Sequence, residues 1–133
     1  MAKEIAYPAI EKIIEYNALA LALLRVKKAD KPEVMSRQKI RDAIGQCMDS
    51  KEDIHGKAAI LLACLTKGHA FASGNRRTAF LVAKDFLLSN GAKLEVKDDP
   101  SYAPVLKGVR EGFYTHEEIR EWLKNGKIRA FKR

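Results

Sequence analysis

The chain is short of the features that mark whole classes of protein. Only two of its 133 residues are cysteines, Cys47 and Cys64. Both sit in apolar helical contexts without metal-ligand spacing, so two buried free thiols are expected, a usage that suits a reducing cytoplasm. Eight glycines and four prolines are too few for a linker-rich or disordered chain. No run approaches the ~20 apolar residues needed to cross a bilayer. The opening MAKEIAYPAI meets an acidic residue at once and has no cleavable apolar region. A cytoplasmic protein without a membrane segment is expected. Internal repeats, low-complexity tracts, zinc-finger spacing and a recognition-helix pattern are all missing. Tyr and Phe do not interleave with the basic residues as stacking platforms would, which speaks against a nucleic-acid-binding module.

What is present describes an ordinary soluble globular protein, 47% hydrophobic and 32% charged. Its length fits one domain over residues 1–133, with little room for a second core. The net charge of +8 favours polyanionic partners such as nucleic acid, nucleotides or an acidic protein, but the Lys and Arg are scattered along solvated faces.

The pattern is helical throughout. A first helix is expected to open at Pro8, with Ile10, Ile13, Ile14, Ala18, Leu21 and Leu24 along one stripe. Arg25, Lys27 and Lys28 would close it, and Ala29–Pro32 should be a loop. A second helix is expected over Glu33–Met48, with Val34, Ile40, Ala43, Ile44 and Cys47 inward. A third runs from about Lys51 to Lys67 and contains eight consecutive apolar residues, Ala58–Leu65; a helix apolar all round is buried on every side. A fourth, about Asn75–Ser89, is nearly as apolar and stops at Asn90-Gly91. A short strand at Leu94–Val96, a fifth helix around Tyr102–Arg110 and a last helix follow. That last helix opens on a Thr115/Glu118 capping box and turns Trp122 and Leu123 inward before Gly126. The fold class is an all-α bundle of about six helices.

The informative segment is GHAFASGNRRTAF, Gly68–Phe80, in the turn between the two most apolar helices. Arg76 and Arg77 stand in the first turn of a helix, where unpaired N–H groups already concentrate positive charge. Each arginine there is unfavourable by ~0.3–1 kcal/mol, and a bound anion would reverse the sign. Backbone N–H groups with two guanidiniums make a phosphate cradle, and Gly74 would let the backbone approach the phosphate. The bland alternative is that both arginines point into solvent or pair with Asp85 or Glu52. His69 would overhang the anion site, where a general base is wanted; the alternative is a structural histidine. Phe71 is most simply the core anchor of the turn.

His69, Phe71, Gly74, Asn75, Arg77 and Thr78 stand at the spacing of the signature H-x-F-x-[DE]-G-N-x-R-T. On these six positions the chain resembles the Fic/Doc (filamentation/death-on-curing) family. A looser similarity runs from about Ser36 to Gly126. The resemblance implies an α-helical bundle in which the motif His deprotonates a hydroxyl of a target protein, while the loop and helix start bind nucleotide phosphates with a divalent cation. By that resemblance His69 is the general base, Asn75 and Arg77 hold phosphates, and Gly74 with the N–H groups after it forms the anion hole. Arg76 supplies further positive charge, and Phe71 and Thr78 support the turn.

Adenylyl-transferring Fic proteins usually carry Gly after the motif Asn and a second Arg three residues beyond the first; this chain has Arg76 and Phe80. Doc proteins usually have Lys and an apolar residue there, and Arg76 preserves the charge of that Lys. The pattern resembles Doc toxins, which transfer a phosphoryl group from ATP to elongation factor Tu. Phosphoryl transfer is therefore preferred over adenylyl transfer. Ser73 stands where the family has its acidic metal ligand, which implies weakly held Mg2+ or a binding-only interaction protein. Ala70 replaces the commoner Pro, a lesser change. The family's self-inhibitory pattern is absent, so the resemblance implies control by a separate antitoxin chain.

Overall fold

The computed structural model describes residues 4–24 and 31–132. Six α-helices follow one another: α1 Ile10–Leu24, α2 Arg37–Asp49, α3 Ile54–Lys67, α4 Asn75–Ser89, α5 Ala103–Arg110 and α6 His116–Asn125, with a 3-10 turn at Pro100–Tyr102 leading into α5. The expected all-α bundle is observed, without a strand among the described residues.

α3 and α4 form the centre. Ala58, Ala59, Leu61, Leu62 and Leu65 of α3 and Ala79, Phe80, Val82, Ala83, Phe86 and Leu87 of α4 are buried in one cluster. α2, α5 and α6 pack around α3, while α1 lies against α4. This burial accounts for the apolar runs Ala58–Leu65 and Ala79–Ala83 within the two helices. Cys47 is fully buried and Cys64 half-buried, both as free thiols; burial, chiefly, pushes the Cys47 thiol up to about 11.

Boundaries move where backbone groups find other partners. α1 begins at Ile10 rather than Pro8, because the Ala9 carbonyl accepts its first bonds, from Lys12 and Ile13. Its inward stripe runs through Ile13, Asn17 and Ala20; Ala18, expected inside, is exposed. The basic closure at Arg25, Lys27 and Lys28 lies outside the described residues. α2 begins at Arg37 rather than Glu33, capped by Ser36, whose hydroxyl accepts from the Lys39 N–H. Residues 33–36 instead pair in an extended conformation with the motif turn. α3 starts at Ile54 rather than Lys51, where Asp53 accepts the Gly56 N–H at 2.9 Å. Lys57, almost fully buried, donates to the Cys47 and Ser50 carbonyls and so satisfies the end of α2.

The expected strand at Leu94–Val96 does not form. The segment has no neighbouring strand to pair with; Glu95 N donates instead to the Leu123 carbonyl at 3.2 Å. Gly126, at φ 75°, ends α6, and a side chain there would come within 3.0 Å of the Glu95 carbonyl oxygen. The capping box of α6 is complete, with Thr115 and Glu118 each accepting from the other's backbone N–H.

Candidate active site

The turn between α3 and α4 is fixed from three sides. From below, Ala70 and Phe71 are buried in the core. From one flank, residues 33–36 clamp its backbone: Met35 N and Ser36 N donate to the Ala70 carbonyl, and Ala72 N to the Glu33 carbonyl at 3.0 Å. From α1, Asn17 Nδ2 donates to the Ser73 carbonyl at 2.9 Å and to Thr78 Oγ1 at 3.1 Å. Asn17 is 1% exposed and Thr78 fully buried, so this polar tie runs inside the core. A hydrogen bond so placed is costly to break, since it leaves its partners unpaired.

The backbone then takes two left-handed steps. Gly74, at φ 77°, stands before α4 with Leu21 of α1 close behind; an added Cβ would lie 3.0 Å from Leu21 Cδ2 and 3.4 Å from Asn17 Nδ2. A side chain here would be strained by the positive φ and would press on the Leu21 side chain. His69 is at φ 53°, the single non-glycine residue with positive φ among the described residues. That conformation costs on the order of 1 kcal/mol and is held only because the clamps on Ala70 and Phe71 over-determine it.

His69 is exposed and overlooks a cleft of about 720 Å³, whose wall includes Ser73, Gly74, Arg76, Arg77, Asp98 and Tyr102. No side chain caps the start of α4, so its first N–H groups are left for a ligand. Asn75 turns inward: its Oδ1 accepts from Phe71 N at 3.1 Å, and its Nδ2 donates to the Phe71 carbonyl at 2.9 Å. The same Nδ2 stands 3.4 Å from His69 Nδ1. What Asn75 offers the cleft is its backbone, while its amide closes the turn.

The two arginines differ. Arg76 is exposed and has no partner among the described residues. Arg77 is neither solvent-pointing nor paired with Asp85 or Glu52. Its guanidinium donates to Asp98 Oδ1 at 2.6 Å and to the Tyr102 hydroxyl, 5.5 Å above whose ring it also lies. Tyr102 stacks on Phe80 at 4.2 Å, which fixes the ring from beneath. Burial works to lower the Arg77 pKa, but the bonds to Asp98 and Tyr102 outweigh it and the net shift is upward. Burial likewise pushes the Asp98 carboxyl up, yet Arg77 and Lys84 hold it below the usual carboxylate range. An internal carboxylate thus already occupies half of the expected phosphate fork.

Four contributors escape a linear reading. Asn17 left a faint signal, a polar residue where the helical period of α1 puts an inward position. Asp98 and Tyr102 left none, since only the path of the chain after α4 brings them to Arg77. Thr66, 2% exposed, lines the cleft with its Oγ1 unpaired among the described residues.

A resident cation does not fit these residues. Ser73 is neutral, Asp98 is engaged by Arg77 and Lys84, and Asp99 accepts from Ser101 to cap the 3-10 turn. Among the described residues no three acidic, His or Cys side chains gather to hold a metal. Nor is any helix among them long and apolar enough to cross a membrane.

No curated protein matches the chain. The model of the Fic/DOC family matches residues 6–87, more than half of the sequence. The match takes in α1, which the similarity from Ser36 onward left out, and stops before α5 and α6. With α1 pinning the motif turn between α3 and α4, the chain belongs to the Fic/DOC family.

Proposed function

We propose that this protein is a Doc-like transferase that moves the γ-phosphoryl group of ATP to a hydroxyl of a target protein. The observation that supports it best is His69, exposed and held in a strained conformation over an uncapped helix start flanked by two arginines. Strain of this kind persists where a site needs a side chain presented. Membership in the Fic/DOC family supports a Fic-type transferase of some kind; Arg76 and Phe80 favour the phosphoryl branch over adenylyl transfer.

In this reading the α4 start and Arg76 hold phosphate oxygens, and Arg77 joins them by exchanging Asp98 for phosphate. His69 accepts the proton of the target hydroxyl as its oxygen bonds to the γ-phosphorus, and the bond from that phosphorus to the bridging oxygen of ADP breaks. A magnesium ion would arrive on the triphosphate and neutralise its charge. Inhibition by a separate antitoxin chain and a translation factor as target belong to the same reading.

Ser73 and the Arg77–Asp98 pair favour a second reading, a weakly active or binding-only member of the family. ATP protection separates the two from the bland reading of the turn. Thermal unfolding with and without ATP is expected to show stabilisation of the wild type and none of Arg77→Ala; equal stabilisation of both would remove the anion site.

A further inference from the structure

The cleft below His69 does not end at Arg76. Arg76 and Ala103 are shared with a second hollow of about 460 Å³, which Pro104, Lys107 and Phe131 also line. Phe131 is shared in turn with a third of about 640 Å³, lined by Glu111, Phe113 and Lys132. Through these shared residues the three hollows adjoin one another, from the motif turn past the exposed face of α5 to the C-terminal segment, and are treated together as a groove.

Its charge is one-sided. Arg76, Lys107 and Lys132 are exposed and make no hydrogen bond or ion pair with another described residue, whereas Glu111 is the single acidic side chain lining the outer two hollows. The nearby arginines differ: Arg77 is paired with Asp98 and Arg129 with Glu118. Unpaired cations along a groove that opens from a reactive side chain suit an anionic chain passing through it. The rings favour protein over nucleic acid. Phe131 is half-buried and edge-on to Phe113 at 5.2 Å, and Arg129 covers a face of Phe113 at 3.9 Å, so they pack on each other instead of standing open for bases.

We propose that this groove binds the acceptor protein, reading an acidic stretch that flanks the hydroxyl delivered to His69. The inference rests on the transfer reading of the His69 cleft and adds the character of the protein substrate. Arg76 borders both compartments; Lys107 and Lys132 belong to the acceptor side alone.

Fluorescence anisotropy of a labelled Glu/Asp-rich peptide carrying one Ser tests this without requiring transfer. Its Gln/Asn counterpart and a single-stranded RNA serve as comparisons. The acidic peptide is expected to bind at least about fivefold tighter than the neutral one and to weaken as salt rises. Lys107→Glu or Lys132→Glu should cost at least about fivefold, while Lys51→Glu, which changes net charge equally outside the groove, stays within about twofold. Equal binding of the two peptides, equal losses at Lys51 and Lys107, or tighter binding of RNA would overturn the proposal. ATP protection measured on the same proteins keeps the two readings apart. Intact ATP binding without preference for the acidic peptide sinks the groove alone, whereas acidic-peptide binding without ATP binding sinks the transfer reading.

Discussion

At the scale of single residues, His69 and Asn17 have opposite characters. His69 touches little and is free to meet a target, so His69→Ala is expected to abolish transfer while ATP protection and fold persist. An active His69→Ala protein would remove the base from the mechanism. The left-handed conformation adds a second expectation: His69→Gly should be more stable than the wild type, by up to about 1 kcal/mol in a denaturant titration. Asn17 is buried and carries the tie between α1 and the turn. Asn17→Leu is expected to cost about 2–3 kcal/mol of stability and to weaken ATP binding, because the Ser73 carbonyl is left unpaired beneath the anion hole. Unfolding by denaturant and ATP titration of the same sample check both halves. The motif residues were legible because their chemistry is local: a glycine and two arginines at a helix start pose a question within four positions. Asn17 was not, because its meaning depends on a partner more than fifty residues away.

At the scale of elements, the boundaries teach the same lesson. The capping box of α6 and the Asn90-Gly91 end of α4 follow from local chemistry alone, since neighbouring residues set them. The starts of α2 and α3 slipped because a tertiary or capping partner took the backbone groups first; residues 33–36 clamp the motif turn instead of extending α2. Asp53 shows how such a cap behaves with pH. Hydrogen bonds from Arg120, aided by the Gly56 N–H and opposed by burial, hold its carboxyl at about 2. Its folded pKa lies below the unfolded value of about 4, so its contribution is complete above pH ~4 and is lost as pH falls through about 2. Arg120→Ala should therefore flatten the acid limb of a stability–pH profile; an unchanged limb would show that the pair carries none of it. The loop after α4 brings Asp98 to Arg77, and Asp98→Asn should tighten ATP binding by releasing that guanidinium, as read by calorimetric titration. Weaker binding would mean that Asp98 orients Arg77 for the phosphate.

Across the whole molecule, one buried helix pair holds a turn whose chemistry its flanks have altered. Fold class and the place of the candidate turn between two buried helices were readable because apolar helices and a motif between them are patterns of sequence. The state of the site was not, because Asp98 reaches Arg77 through the tertiary path of a loop with no secondary structure. Asp98 offsets positive charge in the cleft, and Ser73 supplies no charged ligand for a cation. Ser73→Asp is accordingly expected to lower the magnesium needed for half-maximal transfer and to raise the rate about tenfold, near 1.4 kcal/mol of barrier. The measurement that bears most directly on the central claim is transfer itself, using ATP labelled at the γ- or the α-phosphate with lysate of the host. The wild type should pass γ-label, and not α-label, into a protein band that is absent with His69→Ala. Transfer of α-label, transfer that survives His69→Ala, or no label from either nucleotide would contradict the phosphoryl-transfer account.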